Sequence, residues 1–319
     1  MKKKINVLST LNLNFSHEIF KKLNKYIILS KTNNLKGINK AEVYLASAAV
    51  NIDKNIIDKA KKLKLILSPS TGTDHLDLGY LQKKKIKVIH IAKERKLLNS
   101  FTATSELVFG LILSMNRKLF YAKEDAQKGK WTREKFKGYQ LKDKTFGILG
   151  MGRLGTISAK IAKGFGMKVI GYDIKKISIR NVKNVSLKYL FKNSDILSIH
   201  IHLNKKNKYF VDYKFLNLMK KNSMLINTSR GGIINEKDLL KKLKKNKNFH
   251  VGLDVIRGEW LSKKLLLKHP LIKYSKTKNS NLTIVPHIGG STEESIYGAR
   301  VFILKKLYTL IKEKKYGFS

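Results

Sequence analysis

The stretch KTFGILGMGRLGTISAKIAKGFGMKVIGYD, residues 144–173, decides the fold. Residues 144–150 form a short apolar run of the kind that makes a buried strand, residues 153–166 read as a helix, and 167–173 return to a strand pattern. Between the first strand and the helix stands Gly150-Met151-Gly152-Arg153-Leu154-Gly155, a G-x-G-x-x-G in the context that gives this motif its meaning. Gly150 permits a tight turn, Gly152 lets backbone amides approach a pyrophosphate, and Gly155 allows the helix to pack closely on the strand. Arg153 and Leu154 complete the loop, and the helix N-terminus adds partial positive charge. Asp173 ends the second strand, 18 residues beyond Gly155. A carboxylate there accepts both ribose hydroxyls of NAD and repels the 2′-phosphate of NADP. Lys175 and Lys176 follow and would soften that repulsion, so NAD is the expected cofactor and NADP the lesser alternative.

Working outward, the same alternation continues in both directions. Downstream lie DILSIHI (195–201), MLINTS (224–229), HVGLDV (250–255) and LTIVPHI (282–288), each preceded by a helical or Lys-rich segment. Upstream, INVLST (5–10), AEVYLAS (41–47), LKLILSPS (63–70) and IKVIHIA (86–92) alternate with helical stretches at 55–63 and 78–85. Strand followed by helix, repeated, predicts an α/β fold of doubly wound parallel sheets. SELVFGLILSMNRKLF (105–120) reads as a buried helix joining two lobes. The segment after Gly290 reads as one long terminal helix, N-capped by Ser291 or Thr292 with acids in its first turn. Residues 256–281 are Lys-rich and read as a long surface loop or insertion, and a boundary is expected near 97–104. A length of 319 residues suits about two domains.

Composition removes several function classes. With no cysteine, the chain has no disulfide framework, thiolate zinc site, iron–sulfur cluster or cysteine nucleophile. No metal site is expected. No apolar run approaches the length of a membrane span, and the basic start Met1-Lys2-Lys3-Lys4 leads into a first strand rather than a signal segment, so a cytoplasmic protein is expected. The net charge is +45, but only eight of 67 basic residues are arginine and the lysines are spread along the whole chain. A nucleic-acid reader would use more arginine, whose guanidinium makes bidentate contacts. The charge therefore reads as a solvated lysine coat that attracts anions, with no specific nucleic acid and no membrane as partner.

Three residues stand just beyond later strands: Arg230 in NTSRGG (227–232), Glu259 in GLDVIRGE (252–259) and His287 in PHIGGST (286–292). In open α/β sheets the carboxyl ends of strands form the ligand edge, which would bring all three to the cofactor. Hydride transfer to a 2-keto acid needs a group that holds the carboxylate and polarises the carbonyl, which suits Arg230. It needs a proton donor to the nascent alkoxide, which suits His287. It also needs a carboxylate that orients the imidazole and favours its protonated form, which suits Glu259.

These motifs together resemble the D-isomer-specific 2-hydroxyacid dehydrogenases, in particular a phosphoglycerate dehydrogenase-like branch. The matching stretches are SPSTGTDHLDL (68–78), SELVFGLILSMNR (105–117), the run from Trp131 to Gly155, NTSRGGIIN (227–235), GLDV (252–255) and PHIGGST (286–292). The resemblance implies two Rossmann-like lobes with the active site in the cleft. A flavodoxin-like substrate domain would span 1–100, completed by the C-terminal helix 290–319, and an NAD-binding Rossmann domain would span 101–289. Arg230, Glu259 and His287 fall on the family's catalytic positions, with Arg230 also binding substrate. Thr71 and Gly72 fall on a loop whose amides hold the substrate carboxylate. Thr104, Thr228 and Asp254 fall on cofactor-binding positions, Asp254 at the nicotinamide carboxamide. A homodimer through the NAD domain is implied.

Three departures qualify the resemblance. Trp260 replaces the proline that usually follows the glutamate, and the 256–281 segment is longer than usual. No arginine precedes Arg95, so residues 45–49 lack the phosphate-binding arginine of phosphoglycerate dehydrogenases. The chain ends after the terminal helix, so a C-terminal serine-sensing domain is not expected. Against a dehydrogenase stand two other readings: a catalytically silent dinucleotide-sensing scaffold or corepressor on the same fold, and a nucleic-acid-binding protein suggested by charge alone. The complete Arg230–Glu259–His287 set argues against the first, and the arginine-poor charge against the second.

Overall fold

The computed structural model describes residues 3–15, 17–175 and 179–318. Met1, Lys2 and Lys176, which entered the sequence reading, lie outside the described residues. The chain divides into two compact units, Met1–Phe101 with Glu293–Ser319, and Thr102–Thr292.

The first unit runs β1 (Ile5–Ser9), α1 (Glu18–Leu23), β2 (Ile27–Lys31), β3 (Val43–Leu45), α2 (Lys54–Lys59), β4 (Leu65–Ser68), α3 (Leu78–Lys83), β5 (Lys87–His90) and α4 (Arg95–Asn99). Its sheet has the order β2-β1-β3-β4-β5 and every pair is parallel. Successive strand residues point to opposite faces, and in the central strands β1, β3 and β4 both faces are covered. Val7, Leu45 and Leu65 pack on one side with Ala299, Ile303 and Leu307. Their sequence neighbours Leu8, Tyr44 and Ile66 pack on the other with Ile57 and Leu81. That is why these strands read as unbroken apolar runs. Thr71 and Gly72 lie in the loop between β4 and α3.

The second unit runs α5 (Ala103–Asn116), α6 (Leu119–Gln127), β6 (Thr145–Leu149), α7 (Arg153–Gly164), β7 (Lys168–Tyr172), β8 (Lys183–Asn184), α8 (Leu187–Asn193), β9 (Ile196–Ile199), α9 (Tyr213–Leu218), β10 (Met224–Asn227), α10 (Glu236–Lys245), β11 (His250–Leu253), α11 (Lys263–Leu266), α12 (Pro270–Ser275) and β12 (Leu282–Ile284). The final helix α13 (Glu293–Lys312) belongs to the first unit and begins with two acids, as its dipole favours. The second sheet has the order β12-β11-β10-β9-β6-β7-β8, again all parallel. Strand β6 pairs with β7 on one side and with β9 on the other. The connections therefore reverse direction at β6, which opens a crevice at the carboxyl ends of β6 and β9. Helices α5 and α7 cover one face through Val108, Ile112, Ala159 and Ala162. Helices α8, α10 and α12 cover the other through Phe191, Leu239 and Leu271.

The structure corrects three local expectations. The helix read over 105–120 stops at Asn116 and resumes as α6, because Lys118 takes a left-handed φ of 50°. The Asn116 amide also pins the backbone of Tyr139 in both directions, at 2.6 and 2.9 Å. The stretch Arg95–Asn116 is long and apolar enough to cross a membrane by length and composition, contrary to the sequence reading. Its Val108, Phe109 and Ile112 pack in the core with Phe146 and Ile148. Residues 256–281 are not one surface loop: they carry α11 and α12, and Leu271 and Tyr274 are buried. The Tyr274 hydroxyl meets the Asn281 side chain at 2.7 Å, and that amide in turn donates to the Phe249 carbonyl.

Candidate active site

The glycine loop joins β6 to α7 with the geometry a dinucleotide requires. Gly150 has φ +98°, and a Cβ on it would stand 2.8 Å from the His200 carbonyl carbon. A Cβ on Gly155 would stand 2.1 Å from the Gly150 carbonyl oxygen, so only glycine lets α7 come this close to β6. Gly152 differs: apart from its own chain neighbours, nothing lies within 4 Å of its would-be Cβ. The first and third glycines are thus demanded by packing, and the second leaves open space at the helix N-terminus. Arg153 and Leu154 form the first residues after it, and Leu154 is tied to α5 by the Ser105 hydroxyl, which donates to its carbonyl at 3.0 Å.

Asp173 follows β7 directly. Its Oδ2 accepts the Met151 amide at 2.7 Å and its Oδ1 the Lys175 amide at 3.0 Å. The carboxylate is therefore held against the glycine loop, and each oxygen keeps a lone pair for a hydroxyl. Thr228 follows β10. Its hydroxyl is buried and has no hydrogen-bond partner, which suits a group awaiting a ligand. The open space at Gly152, the carboxylate at Asp173 and the orphaned Thr228 hydroxyl together fit a dinucleotide.

The catalytic candidates lie at the carboxyl ends of β10, β11 and β12. Asn227, fully buried at the end of β10, shapes the Arg230 turn. Its Oδ1 accepts the Ser229 amide and hydroxyl, and its Nδ2 donates to the Arg230 carbonyl at 3.0 Å. The Arg230 guanidinium donates to the Ser229 carbonyl at 2.7 Å. A Cβ on Gly231 would stand 2.3 Å from the Ile256 carbonyl carbon. The Arg230 turn therefore abuts the segment leading to Glu259.

Glu259 sits in a turn opened by Gly258 at φ +70° and closed by the Leu261 amide on the Gly258 carbonyl, 2.9 Å. Its Oε1 lies 2.7 Å from His287 Nδ1, and its Oε2 accepts the Ile256 amide at 3.2 Å. Both oxygens are used, so the carboxylate cannot rotate without losing a bond. His287 itself has φ 54°, a left-handed conformation uncommon outside glycine and frequent at functional sites. Its amide donates to the Asp254 carbonyl at 2.9 Å and the Val285 carbonyl at 3.0 Å, which holds that conformation. With Nδ1 engaged, Nε2 is the ring atom left for proton exchange.

Asp254 braces the loop after His287. Only 2% exposed, its carboxylate accepts the Ile288 amide at 2.6 Å and the Gly289 amide at 2.9 Å. Burial pushes its carboxyl above the usual range, and these two amides oppose the rise. A Cβ on Gly289 would stand 2.7 Å from Asp254 Oδ2 and 3.2 Å from Thr104 Cγ2, so Thr104, Asp254 and Gly289 meet at one point. The second unit thus gathers every sequence-derived candidate except Thr71 and Gly72, which belong to the first unit.

Sequence reading missed two supports. Glu236, at the start of α10, accepts the Arg257 amide at 2.7 Å and lies 3.3 Å from His269 Nε2. Burial raises its carboxyl above the usual range. It anchors the segment that carries Glu259, and its only sequence signal was an acid opening a helix. His200, after β9, meets the Ser198 hydroxyl at 2.9 Å and is pushed down by burial to about 4. Its signal was a polar alternation, Ser then His, inside the apolar run 196–201. Among the described residues, no group of three or more histidines, cysteines and acids is placed to hold a metal.

Comparison with known proteins places this geometry. Residues 109–289 match the model of the D-isomer specific 2-hydroxyacid dehydrogenase, NAD binding domain. A glyoxylate reductase of Thermococcus litoralis is 32% identical over 289 residues, covering 87% of this chain and 83% of the relative. A D-3-phosphoglycerate dehydrogenase of Methanocaldococcus jannaschii is 30% identical over 291 residues; the match covers 89% of this chain, which spans about half, 52%, of that relative. Among solved structures, the D-lactate dehydrogenase from Aquifex aeolicus complexed with NAD and lactic acid superposes with a TM-score of 0.81 at 26% identity, covering 97% of this chain and 96% of the other.

Proposed function

The chain belongs to the D-isomer-specific 2-hydroxyacid dehydrogenases and is an NAD-dependent oxidoreductase, and from that premise we propose that it reduces a small 2-keto acid to the D-2-hydroxy acid, with Arg230, Glu259 and His287 as its catalytic residues. The observation that carries this reading is the 2.7 Å contact between His287 Nδ1 and Glu259 Oε1. It ties one ring nitrogen to a carboxylate and leaves Nε2 to serve the substrate.

Gly150, Gly152, Arg153, Leu154 and Gly155 would hold the pyrophosphate, Asp173 the adenosine ribose, and Thr104, Thr228 and Asp254 the nicotinamide end. When bound, NADH supplies the hydride that reduces C2. The Arg230 guanidinium binds the substrate carboxylate and draws electron density toward the carbonyl oxygen. His287 Nε2 gives its proton to that oxygen as negative charge develops there. Glu259 keeps the ring in the orientation and tautomer that the transfer needs. Ile256 and Asp254 hold Glu259 and the His287 loop in place, so little reorganisation remains for the moment of reaction. Backbone amides of Thr71 and Gly72 keep the proposed role of carboxylate donors.

The unphosphorylated substrate is favoured because no arginine precedes Arg95. A homodimer through the second unit is proposed as well: α6 buries none of its residues and exposes Leu119, Phe120 and Tyr121, with Trp131 exposed beyond it. Cytoplasmic residence is part of the same proposal. The test is NADH oxidation by the purified chain against pyruvate, glyoxylate, hydroxypyruvate and branched-chain 2-keto acids. Keto-acid-dependent oxidation is expected; saturable NADH binding with no oxidation by any member would favour the silent scaffold.

A further inference from the structure

Trp260 is the one residue of the 258–261 turn that the proton-transfer reading leaves without a task. We propose that Trp260 determines substrate specificity: its indole forms the wall that receives an apolar side chain on C3 of the 2-keto acid. The substrates selected are then 2-keto acids with branched or longer aliphatic side chains, in preference to glyoxylate. This inference rests on His287 being the acid–base residue.

The turn delivers two adjacent side chains to two different parts of one imidazole. Glu259 meets the ring at its Nδ1 edge, 2.7 Å away. The Trp260 indole lies alongside the same ring, with centroids 5.5 Å apart and planes 30° from parallel. A carbonyl oxygen hydrogen-bonded to Nε2 stands about 3 Å from that nitrogen. With the indole beside that ring, the carbon chain attached to such a carbonyl can reach it.

The exposure of Trp260 supports the same role. It is 48% exposed, although Ile256 four residues before it and Leu271 beyond it are buried. A large aromatic that merely packed the turn would be covered, whereas one that receives a ligand keeps a free face. Leu261 and Ile288, the chain neighbours of Trp260 and His287, are also exposed, at 50% and 41%. Of the groups that meet His287 and its loop, the Glu259 and Asp254 carboxylates are both spent on holding them, and the indole is the apolar one. Binding of an apolar chain there removes water from the indole face and from the ligand together.

The experiment compares kcat/KM for 4-methyl-2-oxopentanoate and glyoxylate in the wild type, Trp260→Ala and Trp260→Phe. The wild type is expected to prefer the branched acid. Trp260→Ala should lower kcat/KM for the branched acid by about tenfold or more, mainly through KM, and change glyoxylate by less than about threefold. Trp260→Phe should restore most of the loss. A uniform fall in kcat for both acids would show that the indole only steadies His287, and would overturn the proposal, as would a wild-type preference for glyoxylate. A binding measurement separates this inference from the catalytic one. The chain has two tryptophans, so in Trp131→Phe all indole emission comes from Trp260. With NAD present, 4-methyl-2-oxopentanoate should change that emission saturably and glyoxylate should not. An unresponsive emission in an active enzyme refutes the role of Trp260. A responsive emission with no turnover of any 2-keto acid keeps the indole as the wall that an apolar 2-keto acid meets and refutes the proposed activity instead.

Discussion

Acidification from pH 7 to pH 5 is predicted to destabilise the protein through His200. The residue follows β9, donates its amide to the Leu149 carbonyl at 2.7 Å, and meets the buried Ser198 hydroxyl through Nε2 at 2.9 Å. Burial pushes its pKa down from 6.5 to about 4. The unfolded chain therefore takes up a proton near pH 6.5, while the folded chain resists until about pH 4. The stability contributed by neutral His200 is complete above pH 6.5 and is lost as pH falls toward 4. Linkage with these two values gives a loss of about 2 kcal/mol between pH 7 and pH 5, rising to about 3 kcal/mol at pH 4. The assay is urea unfolding followed by far-ultraviolet circular dichroism at pH 7, 6 and 5, in the wild type and in His200→Gln. Glutamine does not titrate and retains an amide for Ser198. The wild type should lose about 2 kcal/mol more than the variant over this range. His250, also pushed down by burial, is present in both proteins and cancels. Parallel pH dependences in the two proteins would show that His200 does not carry the loss. Because the Gly150 turn abuts the His200 carbonyl, NADH affinity should weaken over the same range in the wild type.

Further outcomes follow from single distances. Glu259→Gln should lower kcat by about 100-fold, because Ile256 and His287 use different oxygens of the carboxylate, glutamine replaces one of them with a donor, and the charge partner of the imidazole is gone; steady-state kinetics with unchanged NADH binding would check it. Asp173→Ala should shift cofactor preference toward NADP, read as the ratio of kcat/KM with the two reduced cofactors, since it removes the carboxylate held beside the glycine loop. Gly155→Ala should cost about 1–3 kcal/mol in stability and weaken NADH binding at least tenfold, because its Cβ would stand 2.1 Å from the Gly150 carbonyl oxygen; thermal unfolding and NADH titration measure the two effects.

The parts that were legible in the sequence are those where backbone geometry restricts the residue type. The glycines at 150 and 155 stand where any Cβ would collide with backbone, so the motif is a direct print of the turn. Strands such as β3 and β4 are buried on both faces, and their apolar runs announce them. Strand β8 has two polar residues, Lys183 and Asn184, at the sheet edge, and no pattern could mark it. Helix α12 was hidden because lysines surround its two buried residues, Leu271 and Tyr274, and dilute the period. Glu259 and His287 were legible as candidates by type and by position after a strand. Their contact was not, because 28 residues separate them and only the parallel pairing of β11 with β12 brings their loops together. Glu236 and His200 act through burial and through backbone amides, which leave little trace in composition.

The central claim is that His287 protonates the substrate on an NAD-binding unit built to hold it. The direct measurement is NADH oxidation with the best 2-keto acid, with the product resolved by chirality, in the wild type and in His287→Ala. Stoichiometric D-2-hydroxy acid is expected from the wild type, and from the variant a fall in turnover of at least about 100-fold with NADH affinity unchanged. Near-wild-type turnover in His287→Ala, or formation of the L-hydroxy acid by the wild type, would contradict it.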